Sequence, residues 1–231
     1  MKTLVNGILV CVLVLGSHLS EASQSTWITT WTASPEWADP DPTEPLLNIN
    51  NQTVRQHVRI SIGGERLRIQ FSNEYGSASL RIGAATVALP DGPGSVRPTS
   101  VHTLTFMGQP AVAVPPGTTI LSDAIDFPVP AGAELAVSIY FPERIAAATF
   151  HELALKRAVF SPLGDYTHSA KLGAGATSTA LISVSAVLVP ARPSHAPVRR
   201  DSPGLAPRER LSNSWNTGCG NCLRQPTPRN P

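Results

Sequence analysis

Between Trp27 and Val189 apolar residues recur at every second position, with no helical run longer than a few residues. A period of two puts alternate side chains on opposite faces of an extended chain, so this stretch is read as β-strand. The clearest unit runs from Val54 to Phe71. Val58, Ile60 and Ile62 alternate with His57, Arg59 and Ser61, and Leu67, Ile69 and Phe71 alternate with Arg66, Arg68 and Gln70. Gly63-Gly64 lies between the two halves. The pattern predicts a hairpin whose glycines adopt positive φ, with one apolar face and one cationic face carrying Arg55, Arg59, Arg66 and Arg68. An antiparallel sheet with one buried face has this signature.

Further strands are predicted over 80–89, with Gly83 as a bulge, and over 103–106, 111–114, 118–121 and 135–141. Residues 150–160 are ambiguous, because Glu152-Leu153-Ala154-Leu155-Lys156 also suits a helical turn. A late strand is predicted over 181–189. Many short strands between turn signals, without internal repeats, predict an all-β antiparallel sandwich, jelly-roll-like, over residues 24–189. Hydrophobic residues are 42% of the 231-residue chain, enough for a packed core of that size.

At Pro190 the alternation stops. Residues 190–231 hold eight prolines and seven arginines against Asp201 and Glu209, a charge of +5, which leaves −3 for the rest of a chain of net charge +2. Such a segment buries little apolar surface, so a disordered tail is expected. The small net charge gives no footprint for a nucleic-acid partner.

The first 22 residues have the pattern of a secretory signal peptide: Lys2, an apolar run from Leu4 to Leu15, and Ser20-Glu21-Ala22 before the cleavage point. The expectation is export, with no membrane attachment once the signal is removed. Two cysteines then remain, Cys219 and Cys222. Their C-x-x-C spacing lacks the second ligand pair of a zinc site and the βαβ context of a redox site, so no metal is expected.

Several residues are candidates for chemistry. Asp165 and His168 are three apart, the spacing of an oriented imidazole, but they sit in a loop between Pro162 and a Gly-rich run. Asn51-Gln52-Thr53 is an N-glycosylation sequon. Trp27, Trp31 and Trp37 offer indole surface for stacking on sugars, with Trp31 and Trp37 the binding candidates; the alternative for a strand tryptophan is packing in the core or at its rim. The arginine face suits a solvated surface or a docking surface for another domain.

Trp27-Ile28-Thr29-Thr30-Trp31-Thr32-Ala33-Ser34-Pro35 resembles the opening of secreted SGNH (GDSL-type) hydrolases with an N-terminal β-sandwich domain. Other stretches resemble the same domain in the same order: 51–56, 59–64, 67–73, 82–85, 103–108, 135–140 and Ser161-Pro162-Leu163-Gly164-Asp165. The resemblance covers about residues 27–189. It implies ester hydrolysis through an acyl-serine intermediate, without metal or organic cofactor, by a catalytic domain that follows the sandwich. That domain is expected to open with a Gly-Asp-Ser-Ile/Leu-Thr motif and to carry a late Asp-x-x-His.

At that place stands Arg200-Asp201-Ser202-Pro203-Gly204, and the resemblance implies that Ser202 is the remnant of the nucleophile. Arg200 replaces the glycine of a tight strand-to-helix turn. Pro203 removes an amide N–H and restricts Ser202, whose own amide would serve the oxyanion hole. No histidine lies in the 29 residues after Ser202. The expectation is a sandwich domain of an SGNH-type esterase without its catalytic domain. Either the reading frame shifts near residue 190 or the chain is a short paralogue, and the abrupt loss of pattern favours the first. The alternatives are a secreted module that binds carbohydrate or protein, or a domain that docks a separate hydrolase.

Overall fold

The computed structural model describes residues 26–37, 49–145, 149–152, 154, 156–173 and 175–191, all within one compact unit. Among the described residues sixteen strands follow in chain order: β1 (Trp27–Thr32), β2 (Glu36–Trp37), β3 (Gln52–Arg59), β4 (Gly64–Ser72), β5 (Leu80–Ile82), β6 (Ala84–Ala88), β7 (His102–Leu104) and β8 (Val112–Val114). The second half comprises β9 (Thr119–Leu121), β10 (Ile125–Val129), β11 (Glu134–Phe141), β12 (Thr149–His151), β13 (Ala158–Leu163), β14 (Thr177–Ser178), β15 (Leu181–Ile182) and β16 (Val184–Pro190). All pairings are antiparallel. A six-stranded sheet runs β14-β13-β3-β11-β6-β7, and a five-stranded sheet runs β1-β16-β4-β10 with β9 also on β4. A three-stranded sheet, β15-β12-β2, and the pair β5-β8 complete the fold. The all-β sandwich expected from the alternation is present.

The register explains the core. Val54 lies opposite Ile139, Gln56 opposite Val137 and Val58 opposite Leu135, so this face of the six-stranded sheet turns inward. Leu67, Ile69 and Phe71 of β4 and Val187 and Val189 of β16 meet it from the other sheet in one buried cluster. Gln56 is the polar member. Its amide donates to the Ile182 carbonyl at 3.0 Å and accepts the Ile182 N–H, standing in for a missing strand partner at β15.

The expected hairpin over 54–71 is not one. β3 pairs with β11 and β13, whereas β4 pairs with β16, β9 and β10. Residues 60–63 carry the chain from one sheet to the other. Ile60 donates to the Ala133 carbonyl, and Ser61 and Ile62 bond Thr30 of β1. In a hairpin both apolar faces would lie side by side on one sheet; across the arch they face each other and bury one another. Alternation reports which side of a strand is apolar, and both arrangements satisfy it.

Gly63 and Gly64 do not have positive φ. Gly63 is required by close approach: a Cβ there would lie 2.4 Å from the Val129 carbonyl oxygen and 2.6 Å from the Ala131 nitrogen.

The predicted strand over 80–89 breaks at Gly83 into β5 and β6, which join different sheets. The Gly83 N–H donates to the Tyr140 carbonyl, and a Cβ would meet the Tyr140 ring at 2.8 Å. The strand over 181–189 divides at Ser183, whose φ is +59°, and β16 extends to Pro190. Glu152, Ala154 and Lys156 are not helical; β12 and β13 flank them. The sequence reading missed β10, which tolerates Pro128 because it lies at a sheet edge.

Candidate binding site

The four arginines expected on one face lie on two. On β3, Val54 and Val58 point into the core, so Arg55 and Arg59 point out of the six-stranded sheet. On β4, Leu67 and Ile69 point inward, so Arg66 and Arg68 emerge from the five-stranded sheet.

Arg55 is completely buried. Loops 90–97 and 164–171 lie over it. Its guanidinium donates to Ser138 Oγ at 2.8 Å, to the Gly94 carbonyl at 3.0 Å and to the Ser169 carbonyl at 2.7 Å. Longer bonds reach the carbonyls of Thr167 and Ala170. Burial draws its pKa down to about 10, which still leaves the group charged at neutral pH. The planar fork spreads its bonds over neutral carbonyls on both loops, so Arg55 staples them to the sheet. Thr86 adds a bond to the Thr167 carbonyl at 3.0 Å.

Beside it, His57 Nδ1 lies 3.2 Å from Glu134 Oε1, and Lys156 Nζ is 3.2 Å from the same oxygen. The arrangement calls for the Nδ1–H tautomer. Nε2 is buried with no hydrogen-bond partner among the described residues. Burial lowers the His57 pKa, and the opposing pull of Glu134 does not restore it. For Glu134, burial alone would raise the pKa, but the hydrogen bond and charge of Lys156, with His57 behind it, hold the carboxyl below its usual range.

On the opposite face, Arg68 stacks over the Trp27 ring at 4.9 Å from its centroid, with Arg66 at 6.0 Å. Arg66 also meets the exposed carboxylate of Asp126 at 3.1 Å. Trp31 is half-buried against the core, whereas Trp37 is 58% exposed on a different sheet.

The Asp165–His168 spacing does not form a pair. The Asp165 carboxylate accepts from Thr167 N–H and Oγ1, and His168 Nε2 faces Thr103 Oγ1 at 3.3 Å. The sequon is built into the fold: Asn51 Oδ1 accepts from the Tyr140 hydroxyl at 2.7 Å, and Thr53 is fully buried. Ser202, Cys219, Cys222, the signal segment and the tail lie outside the described residues.

A cleft not anticipated from the sequence lies where the three-stranded sheet meets β4 and β16. Ser34, Pro35, Ser72, Thr149, His151 and Ser183 line it. His151 Nδ1 lies 3.0 Å from Glu36 Oε1 and 3.1 Å from the Ser34 carbonyl. Two acceptors at Nδ1 place a proton there. Ser183 is 2% exposed, and its Oγ is buried without a hydrogen-bond partner among the described residues. A serine, an imidazole and a carboxylate in one cleft invite comparison with a catalytic triad. The cleft has about 10 Å³ of free volume, room for one water rather than an acyl group. Its chemistry is hydrogen bonding.

In sequence, Ser183 and Ser185 read as the polar face of an alternating strand, and His151 falls in the ambiguous stretch. Only the left-handed backbone at Ser183 separates β15 from β16 and turns that serine inward.

No protein-family model matches the chain, and no curated protein matches it. Among the described residues, no group of three His, Cys, Asp or Glu side chains is placed to hold a metal ion.

Proposed function

We propose that this chain is the N-terminal β-sandwich accessory domain of a secreted SGNH (GDSL-type) ester hydrolase, and that it does not hydrolyse esters by itself. The observation that supports this reading is order. The stretches that resemble the family lie along consecutive elements, including β1, β3, β4, β7, β11 and β13, and these build one sandwich ending at Pro190. The chemistry around Ser202 supports the second half: Arg200 and Pro203 are unsuited to a nucleophile turn and its oxyanion hole.

The purified chain is expected to leave p-nitrophenyl acetate unhydrolysed above the buffer rate. Turnover that Ser202→Ala abolishes would overturn the reading. Reading the transcript from the codon of Leu181 onward in all three frames tests the origin of the tail. A frame encoding an apolar strand, Gly-Asp-Ser and a late Asp-x-x-His is expected. N-terminal sequencing of exported protein should begin at Ser23.

One observation favours a second reading, a module that binds carbohydrate: Trp37 and Tyr75 are both exposed, and both adjoin Thr149 in the wall of the polar cleft.

A further inference from the structure

Six large hydrophobic side chains are exposed among the described residues, and the two aromatic ones converge on a single residue. Trp37 is the direct cross-strand partner of Thr149, and a directly opposed antiparallel pair projects to the same face of the sheet. The backbone N–H of Tyr75 donates to Thr149 Oγ1 at 2.9 Å, which anchors Tyr75 to the same face. Trp37 is 58% exposed and Tyr75 46%. Thr149 also lines the cleft that holds the unpartnered Ser183 hydroxyl and His151. Two exposed aromatic residues therefore neighbour Thr149, one wall of a polar cleft that holds His151 and a buried, unpartnered hydroxyl.

Ser183 carries a second indication. A non-glycine residue at φ +59° is strained, and the surroundings must offset the cost. Here the strained backbone turns a hydroxyl into the cleft and leaves it unsatisfied. A buried unpaired polar atom is a cost that a hydrogen-bonding ligand removes.

Charge selects among ligands. Glu36 and His151 form one wall, with Glu36 43% exposed by side chain. Glu74 bonds Ser72 at the other side and is exposed, as is Glu152. Three carboxylates outweigh the single imidazole, so the rim is negative. An anionic ligand is repelled; a neutral one with an apolar face for the rings and hydroxyls for the cleft is accepted. A pyranose has both.

We infer that Trp37, Tyr75 and the Ser183–His151 cleft form a binding site for an uncharged glycan, stacked on the aromatic rings with one hydroxyl group directed to Ser183 Oγ. The inference rests on the second reading of function and is independent of any hydrolase.

The test is titration calorimetry of the purified full chain with xylohexaose and cellohexaose, and with oligogalacturonate as the anionic counterpart. Binding of a neutral oligosaccharide is expected, with oligogalacturonate at least tenfold weaker. Trp37→Ala and Tyr75→Ala should each weaken binding about tenfold or more. Both side chains are largely exposed, so circular dichroism should show the fold intact. Leu163→Ala, an exposed apolar residue elsewhere, should leave affinity unchanged. Ser183→Gly relieves the backbone and removes the hydroxyl; it should stabilise the fold while weakening binding.

Neutral-glycan binding that survives both aromatic substitutions would overturn the site while sparing the carbohydrate reading. Equal or tighter binding of oligogalacturonate would overturn the ligand class. No binding to any of the three at millimolar concentration would overturn both.

Discussion

Arg55 and Arg68 occupy matching places in two strands of the same alternating pattern, yet one is sealed and the other is only half-buried. The difference lies in what covers each sheet. Outward from the six-stranded sheet point Thr86, Ala88, Ala136 and Ser138, small side chains that let loops 90–97 and 164–171 lie close. Those loops turn carbonyls toward the sheet, and Arg55 supplies donors in a fixed fork, sharing the Gly94 carbonyl with the Leu172 N–H and bonding the Ser169 carbonyl directly. Outward from the five-stranded sheet point Arg66, Arg68 and Gln70, long side chains with a tryptophan across them. The first arginine is a structural staple; the second covers apolar surface and keeps contact with solvent.

Removing Arg55 should break the comparison most severely. Arg55→Ala removes the bonds that tie both loops to the sheet, leaves the Ser169 carbonyl without its donor and opens a cavity under the loops; the expected loss is about 2–5 kcal/mol, read as a lower urea midpoint. Arg55→Lys should recover little, because an ammonium lacks the planar fork. If Arg55→Ala costs no more than Arg68→Ala, the staple is wrong. Gly63→Ala comes next. A Cβ driven into the backbone at 129–131 should cost roughly 1–3 kcal/mol, as overpacking does, although nothing about φ forbids alanine there.

A pH effect follows, also confined to the covered face. The folded pKa of His57 is below its unfolded value, so the unfolded chain takes up the proton first. Stability should therefore fall as pH drops through the unfolded histidine range, about 6.5. Glu134, whose folded pKa is depressed, loses its contribution at still lower pH, where it is protonated. His57→Asn should flatten the decline in Tm between pH 7 and 5, and a profile unchanged from the parent would exclude His57 as its source. On the more open face, Arg68→Ala should cost only about 0.5–2 kcal/mol, the scale of a half-buried cation–π contact. Asp126→Asn, which breaks the exposed pair with Arg66, should produce no measurable change in the urea midpoint.

The same contrast shows what was legible in the chain. The inward set of β3, β4 and β11 was plain, because a period of two marks which side chains share a face. The exposure of Trp37 was compatible with its reading as a binding residue; Trp31 instead packs against the core. The cleft was invisible, since it assembles Ser34, Ser72, His151 and Ser183 from four separated stretches. Ser183 in particular lies inside the strand predicted over 181–189, which the structure divides at that residue.

Sequence alone determined the class of the fold, the faces of the strands and the point near Pro190 where the pattern ends. These follow from local geometry, in which each residue's direction depends on its neighbours in the chain. Tertiary structure decided that β3 and β4 part company at Gly63, that Arg55 is sealed while Arg68 is not, and that Ser34, Ser72, His151 and Ser183 come to one cleft. Those outcomes depend on which distant strand supplies the next hydrogen bonds and which loop covers a face, and alternation carries no information about either.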